Sequence, residues 1–204
     1  MTKIKLCGMR RAEDIRIINR YLPDYCGFIL SRPFKRYVSF EELNRIRPLI
    51  DKRIRVCGVF VDETMEYILN FIKAGIIDII QLHGDEDEEY TDKLSERLTE
   101  LNKEILIIKA FRIQSDEDIR RAKESRAGLI LLDSGQGSGK SFDWSLIDKM
   151  GRDFILAGGL NEENIAAAIR KHSPYAVDVS SGAETDGYKD EEKIKNIIRE
   201  VRNV

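Results

Sequence analysis

Four side chains able to move protons stand at or near the ends of short apolar runs in this 204-residue sequence. Cys7 ends KIKLC (3–7), Asp133 ends LILLD (129–133), His83 follows DIIQL (78–82), and Asp178 lies inside AVDVS (176–180). A thiolate acts as a base where nearby cations or dipoles stabilise it. A carboxyl group that follows four apolar residues is partly desolvated, the condition under which it can serve as a general acid. A base and an acid on different segments suit a reaction that removes a proton from one atom and adds one to another. The plainer alternatives are a buried small hydrophobe for Cys7 and a loop-tying or capping role for Asp133. His83 is a candidate acid, base or donor, with a histidine satisfied by loop backbone as the alternative.

Other segments suit anion binding. Gly158-Gly159 follows the run FILA and precedes a helix start at Asn161, so it can present backbone N–H groups. Ser180-Ser181-Gly182 supplies hydroxyls and a second open stretch of backbone. Arg36 belongs to a basic cluster with Arg32 and Lys35, and one member can clamp a carboxylate through two parallel hydrogen bonds. Gly137-Ser138-Gly139-Lys140-Ser141 superficially resembles a nucleotide-binding loop, but the required first glycine is missing because residue 134 is Ser. It reads instead as a glycine loop over a site mouth, closed by Phe142-Asp143-Trp144.

The elements that must position these residues follow a regular alternation. Eight β-branched or apolar runs begin 22 to 30 residues apart: 3–7, 25–30, 55–61, 78–82, 105–110, 129–133, 154–159 and 176–180. Between them lie charged segments with apolar residues at helical spacing. Examples are Ile15, Ile18 and Leu22; Met65, Ile68, Leu69 and Ile72; Tyr90, Leu94, Leu98 and Leu101; and Ile194, Ile197, Ile198 and Val201. Ser39 with Glu42 and Asp85 with Glu88 read as capping boxes, and Ser115 and Asn161 as N-caps. Strands alternating with helices imply a parallel sheet covered on both faces, and eight such units imply a closed (β/α)8 barrel, an α/β TIM-barrel fold. An open doubly wound sheet is the alternative, disfavoured by eight even units and no early GxGxxG. No linker divides the chain, so residues 1–204 are expected to form one domain. In a barrel of this kind catalytic groups come from the C-terminal strand ends, and phosphate binds between the loops after strands 7 and 8.

Composition excludes several classes. Lys plus Arg is 34 and Asp plus Glu is 36, a net charge of −2 that gives no electrostatic case for nucleic acid. No apolar run reaches the length of a membrane span, and MTKIKLCGMRR lacks the apolar centre of a signal peptide, so a cytoplasmic location is expected. Three cysteines without a CxxC indicate neither a disulfide framework nor a zinc site. Cys26 and Cys57 precede glycines inside strands and are expected in the core. His172 is expected to be structural.

Taken together, KLCGM (5–9), KRYVS (35–39), QLHG (81–84), LLDS (131–134), GSGKSFDW (137–144), AGGLNEENI (157–165) and AVDVSSGAE (176–184) run from end to end of the chain. In that order they closely resemble the phosphoribosylanthranilate isomerase family of tryptophan biosynthesis. SRPFKR (31–36) departs from the YPKSKR form frequent in the family but keeps its final Arg. The resemblance implies a (β/α)8 barrel that performs an Amadori rearrangement of a phosphosugar without a cofactor or metal. It implies Cys7 as general base, Asp133 as general acid, Arg36 on the anthranilate carboxylate, and Gly158, Gly159, Ser180, Ser181 and Gly182 around the phosphate. His83 and Asp178 are further site candidates. Two rivals stand beside it. One is the related aminoaldose isomerase of histidine biosynthesis, which resembles a site with a carboxylate base on strand 1. The other is a non-catalytic phosphosugar-binding relative, against which an intact Cys7 and Asp133 argue.

Overall fold

The eight apolar runs form eight parallel strands: β1 (Lys3–Cys7), β2 (Tyr25–Ile29), β3 (Arg55–Phe60), β4 (Ile79–Leu82), β5 (Leu106–Arg112), β6 (Leu129–Asp133), β7 (Phe154–Ala157) and β8 (Ala176–Val179). A computed structural model describes residues 1–133, 147 and 150–204. Each strand pairs with the next, and β8 returns to β1 to close the barrel. In that closing pair Lys5 stands opposite Asp178. Helices α1 (Ala12–Tyr21), α2 (Phe40–Ile46), α3 (Met65–Lys73), α4 (Glu88–Glu100) and α5 (Asp116–Glu124) follow the first five strands in turn. After β7 comes α6 (Ile165–His172), and after β8 a small antiparallel ribbon, β9 (Glu184–Thr185) with β10 (Tyr188–Lys189), leads into α7 (Glu191–Arg202). The (β/α)8 architecture is thus the one expected from the alternation of patterns. The glycine loop expected over residues 137–144 lies outside the described residues.

Strand alternation divides the buried residues into two layers. Ile4, Leu6, Phe28, Val56, Ile80, Ile130, Leu156 and Val177 point outward to the helices, where they meet Ile15, Ile68, Leu94 and Ile197. The other set fills the barrel: Cys7, Cys57, Val59, Ile79, Ile108, Leu131, Ile155 and Ala176. Cys26 and Cys57 are both fully buried, the first among the helices and the second inside the barrel.

Two expected helix starts differ from those observed. Ser39 and Glu42 do form a capping box on α2, and Ser115 caps α5. The Asp85–Glu88 box does not form, because Asp87 caps α4 by accepting from the Tyr90 N–H at 2.8 Å. Asp85 instead gives its N–H to the Asp62 carboxylate at 2.7 Å. Asn161 caps a single turn, accepting from the N–H groups of Glu163 and Asn164, and α6 proper begins at Ile165 with Asn164 at its N-cap. The Asn161 side chain has the right chemistry, but the backbone stays a turn for three more residues before it becomes helix.

Candidate active site

At the C-terminal ends of the strands lies a cavity of about 350 Å³, within the range of small-molecule sites. Cys7, Arg36, His83, Asp133, Gly158, Gly159, Asp178, Ser180, Ser181 and Gly182 all line it. Strands β1 and β6, which carry Cys7 and Asp133, are separated around the barrel by β8 and β7. The thiol and the carboxyl group therefore face one cavity from different sides.

The β1–β8 side is a network of buried charges. Lys5 is fully buried, and its Nζ donates to Asp178 Oδ2 at 2.8 Å. Burial opposes the charge on Lys5, but Asp178 and the neighbouring thiols of Cys7 and Cys57 outweigh it and hold the ammonium above the usual lysine range. Asp178 Oδ1 is buried and has no hydrogen-bond partner among the described residues. Gly27 on β2 makes room for this arrangement: a Cβ there would lie 2.8 Å from Cys7 Sγ and 3.2 Å from Lys5 Nζ. Above it, Arg36 Nη1 donates to Ser180 Oγ and to Glu184 Oε1, both at 2.6 Å, and Ser180 Oγ donates to the Cys7 carbonyl at 3.3 Å. Lys189 Nζ donates to the same Glu184 oxygen and to the Ser180 carbonyl, each at 2.8 Å. Burial pulls the Lys189 pKa down against the opposing pull of Glu184.

The β4–β6 side is looser. Gln81, almost wholly buried, places its Nε2 2.7 Å from His83 Nδ1. His83 Nε2 is 3.7 Å from Asp133 Oδ2, and these two side chains are 35% and 31% exposed. The loop carrying His83 is held from below. Lys109 on β5 donates to Glu86 Oε2 and the Gly84 carbonyl, each at 2.7 Å, and Glu86 accepts from the N–H groups of Asp62 and Gly84.

Between β7 and β8 the two loops come together. Gly158 and Gly159 have φ of 96° and 63°, the left-handed region that glycine enters without steric cost. After β8, residues 181–183 make one 3-10 turn packed against the β7 loop. A Cβ on Gly182 would lie 1.9 Å from the Leu160 carbonyl oxygen. The Ser180 hydroxyl is engaged by Arg36 and the Cys7 carbonyl, so its part in this corner is different from the free hydroxyl expected. Among the described residues no group of three or more His, Cys, Asp or Glu is arranged to hold a metal ion, and no helix is long and apolar enough to cross a membrane.

Sequence reasoning missed Lys5, Glu184 and Lys189, and it named Gln81 at the end of the fourth strand without giving it a role. A signal existed for two of them. Lys5 is two residues before Cys7 and Gln81 two before His83, so strand alternation puts each pair on one face. Glu184 and Lys189 lie in the β9–β10 ribbon, and nothing in their local pattern marks them.

A thiol, a carboxyl group, a histidine and an arginine around the C-terminal mouth define the class: a (β/α)8-barrel enzyme built for acid–base chemistry on a small molecule. Known proteins narrow it. Residues 4–200 match the family model described as N-(5'-phosphoribosyl)anthranilate isomerase. The isomerase of that name from Clostridium kluyveri is 44% identical over 207 residues, covering 100% of both chains. A solved phosphoribosyl anthranilate isomerase from Thermotoga maritima superimposes with a TM-score of 0.88 at 38% identity, again over 100% of both. A further solved isomerase of this kind, in complex with reduced 1-(o-carboxyphenylamino)-1-deoxyribulose 5-phosphate, gives a TM-score of 0.87 at 37% identity over 100% of each chain. The chain belongs to the N-(5'-phosphoribosyl)anthranilate isomerase family.

Proposed function

We propose that this protein converts N-(5'-phosphoribosyl)anthranilate to 1-(2-carboxyphenylamino)-1-deoxyribulose 5-phosphate, a step of tryptophan biosynthesis, with Cys7 as base and Asp133 as acid. Asp133 protonates the furanose ring oxygen. The bond from that oxygen to C1 breaks, and the nitrogen lone pair forms a protonated imine. The imine acidifies the C2 proton, which the Cys7 thiolate removes. The electron pair left on C2 gives an enolamine, which tautomerises to the ketone. The observation that carries this reading is the thiol and the carboxyl group lining one cavity from β1 and β6, so that a substrate between them meets both.

Arg36 takes the anthranilate carboxylate. Its hydrogen bonds to described residues all use Nη1, which leaves the Nη2 side of the guanidinium for the substrate. The phosphate sits between the β7 and β8 loops, against the backbone of Gly158, Gly159, Ser181 and Gly182, while the Ser180 side chain holds Arg36 for the carboxylate. Freshly made phosphoribosylanthranilate and the aminoaldose substrate of histidine biosynthesis, offered separately, test the assignment. Loss of anthranilate fluorescence with the first and no turnover of the second is the expected result. No turnover of the first, or preference for the second, overturns it.

A further inference from the structure

Four side chains stand in sequence from β3 to β6: Cys57, Gln81, His83 and Asp133. Cys57 Sγ lies 3.9 Å from Gln81 Oε1, Gln81 Nε2 lies 2.7 Å from His83 Nδ1, and His83 Nε2 lies 3.7 Å from Asp133 Oδ2. From these contacts we infer that Gln81 is a positioning residue that sets the tautomer of His83, so that the Nε2–H of the ring faces Asp133. The inference deepens the proposed reaction and rests on its assignment of Asp133 as the acid.

The argument runs through donors and acceptors. An amide nitrogen carries two hydrogens and no available lone pair, so at 2.7 Å it can only donate to Nδ1. Nδ1 must then be the acceptor, and in a neutral imidazole the one ring proton sits on Nε2. The other end of the amide agrees. Cys57 is fully buried inside the barrel, and burial first, with Lys5 opposing, pushes its thiol up to about 12, so it remains an S–H donor facing Oε1. An amide turned the other way would exchange the S–H···O contact for a weaker N–H···S one and set its oxygen against Nδ1. With Gln81 nearly fully buried and two residues from His83 on the same strand face, the ring is held from behind by a group that cannot accept.

The tautomer matters to the acid. A ring lone pair facing Asp133 would be a second acceptor for the proton that Asp133 must give to the sugar oxygen. An Nε2–H cannot take that proton. It can instead donate to the carboxylate left behind once the proton has gone. The 3.7 Å gap is longer than a hydrogen bond, and catalytic contacts of this kind tighten in the substrate complex.

The full chain contains only two histidines, His83 and His172, which makes a direct test simple. Nitrogen-15 histidine spectra of the substrate-free protein, at a pH where both rings are neutral, report which ring nitrogen carries hydrogen, and a His172→Gln variant assigns the signals. The expected result is hydrogen on Nε2 of His83 and an unprotonated Nδ1. Hydrogen on Nδ1 overturns the inference. Gln81→Glu keeps the size but offers an acceptor to Nδ1, so the ring proton should move to Nδ1. Its kcat should fall about 10-fold or more, with KM within about twofold of the unsubstituted enzyme. A reversed tautomer with unchanged kcat would remove the functional part of the inference. Should Gln81→Glu fail to fold, the spectrum of the unsubstituted protein decides alone. The spectrum is read without substrate, so its outcome is separate from the role of Asp133, which turnover of Asp133→Asn decides.

Discussion

The two sides of the cavity are built to different tolerances. On the β1–β8 side, Lys5, Arg36 and Lys189 meet Asp178 and Glu184 at 2.6 to 2.8 Å, with both lysine side chains 1% exposed. On the β4–β6 side, His83 and Asp133 are about one-third exposed and their nearest atoms lie 3.7 Å apart. The difference is one of timing. The side that holds Cys7 and Arg36, the proposed base and carboxylate anchor, is assembled before any substrate arrives, because buried charges cannot be left waiting without partners. The side that holds Asp133, the proposed acid, keeps solvent contact, which suits a group that must give up a proton and regain it.

Breaking the rigid side gives the largest effect. Lys5→Met leaves Asp178 buried with neither oxygen paired, and removing one partner of a buried ion pair costs about 3–5 kcal/mol. Denaturant unfolding measures this, and a loss below about 1 kcal/mol would erase the contrast between the two sides. Next come the reacting groups. Cys7→Ala and Asp133→Asn should each lose at least ~100-fold in kcat while staying folded. Near-normal turnover of either variant removes that residue from the mechanism. Arg36→Met should raise KM by the equivalent of about 1.5–3 kcal/mol and leave inhibition by inorganic phosphate nearly unchanged. An equal loss of phosphate inhibition would move Arg36 to the phosphate corner. Gly182→Ala pushes a methyl group against the Leu160 carbonyl and spreads the β7 and β8 loops, at a cost of about 1–3 kcal/mol. It should weaken substrate and phosphate together, and unaltered phosphate inhibition would place the anion elsewhere. The smallest effect belongs to Arg120→Ala on α5, whose partners Glu117 and Glu124 are all exposed. Its denaturation midpoint should not move measurably, and a clear drop would show that surface pairs matter here as much as buried ones.

How far the sequence was readable follows the range of each signal. Runs such as KIKLC and LILLD carry their strand character locally, and their residue bounds agree with β1 and β6. Cys7, His83 and Asp133 were found because strand ends in a barrel converge on one mouth. Lys5 was hidden because a lysine in a strand is ordinarily a surface residue, and its partner Asp178 is 173 residues away. Gln81 stood in the run QLHG without a role, since only the ring it touches gives its amide a direction. The start of α6 was misplaced because Asn161 caps a turn in the same way that it would cap a helix.

The pairing of β1 with β8 has a consequence for how the protein comes into being. Residues 3–7 leave the ribosome first among the strands, yet the partners that Lys5 and Arg36 hold, Asp178, Ser180 and Glu184, come 144 to 173 residues later. During synthesis Cys7 is an ordinary thiol on an unfinished sheet, and Lys5 has no counter-charge inside a barrel that does not yet exist. At roughly 5–20 residues per second, this interval lasts about ten seconds or more, a period when β1 must stay hydrated or pair elsewhere. Closure, burial of the lysine and seating of Arg36 on Ser180 and Glu184 must then arrive as one late event. Catalytic competence in this fold therefore waits for β8 and the β9–β10 ribbon to join β1.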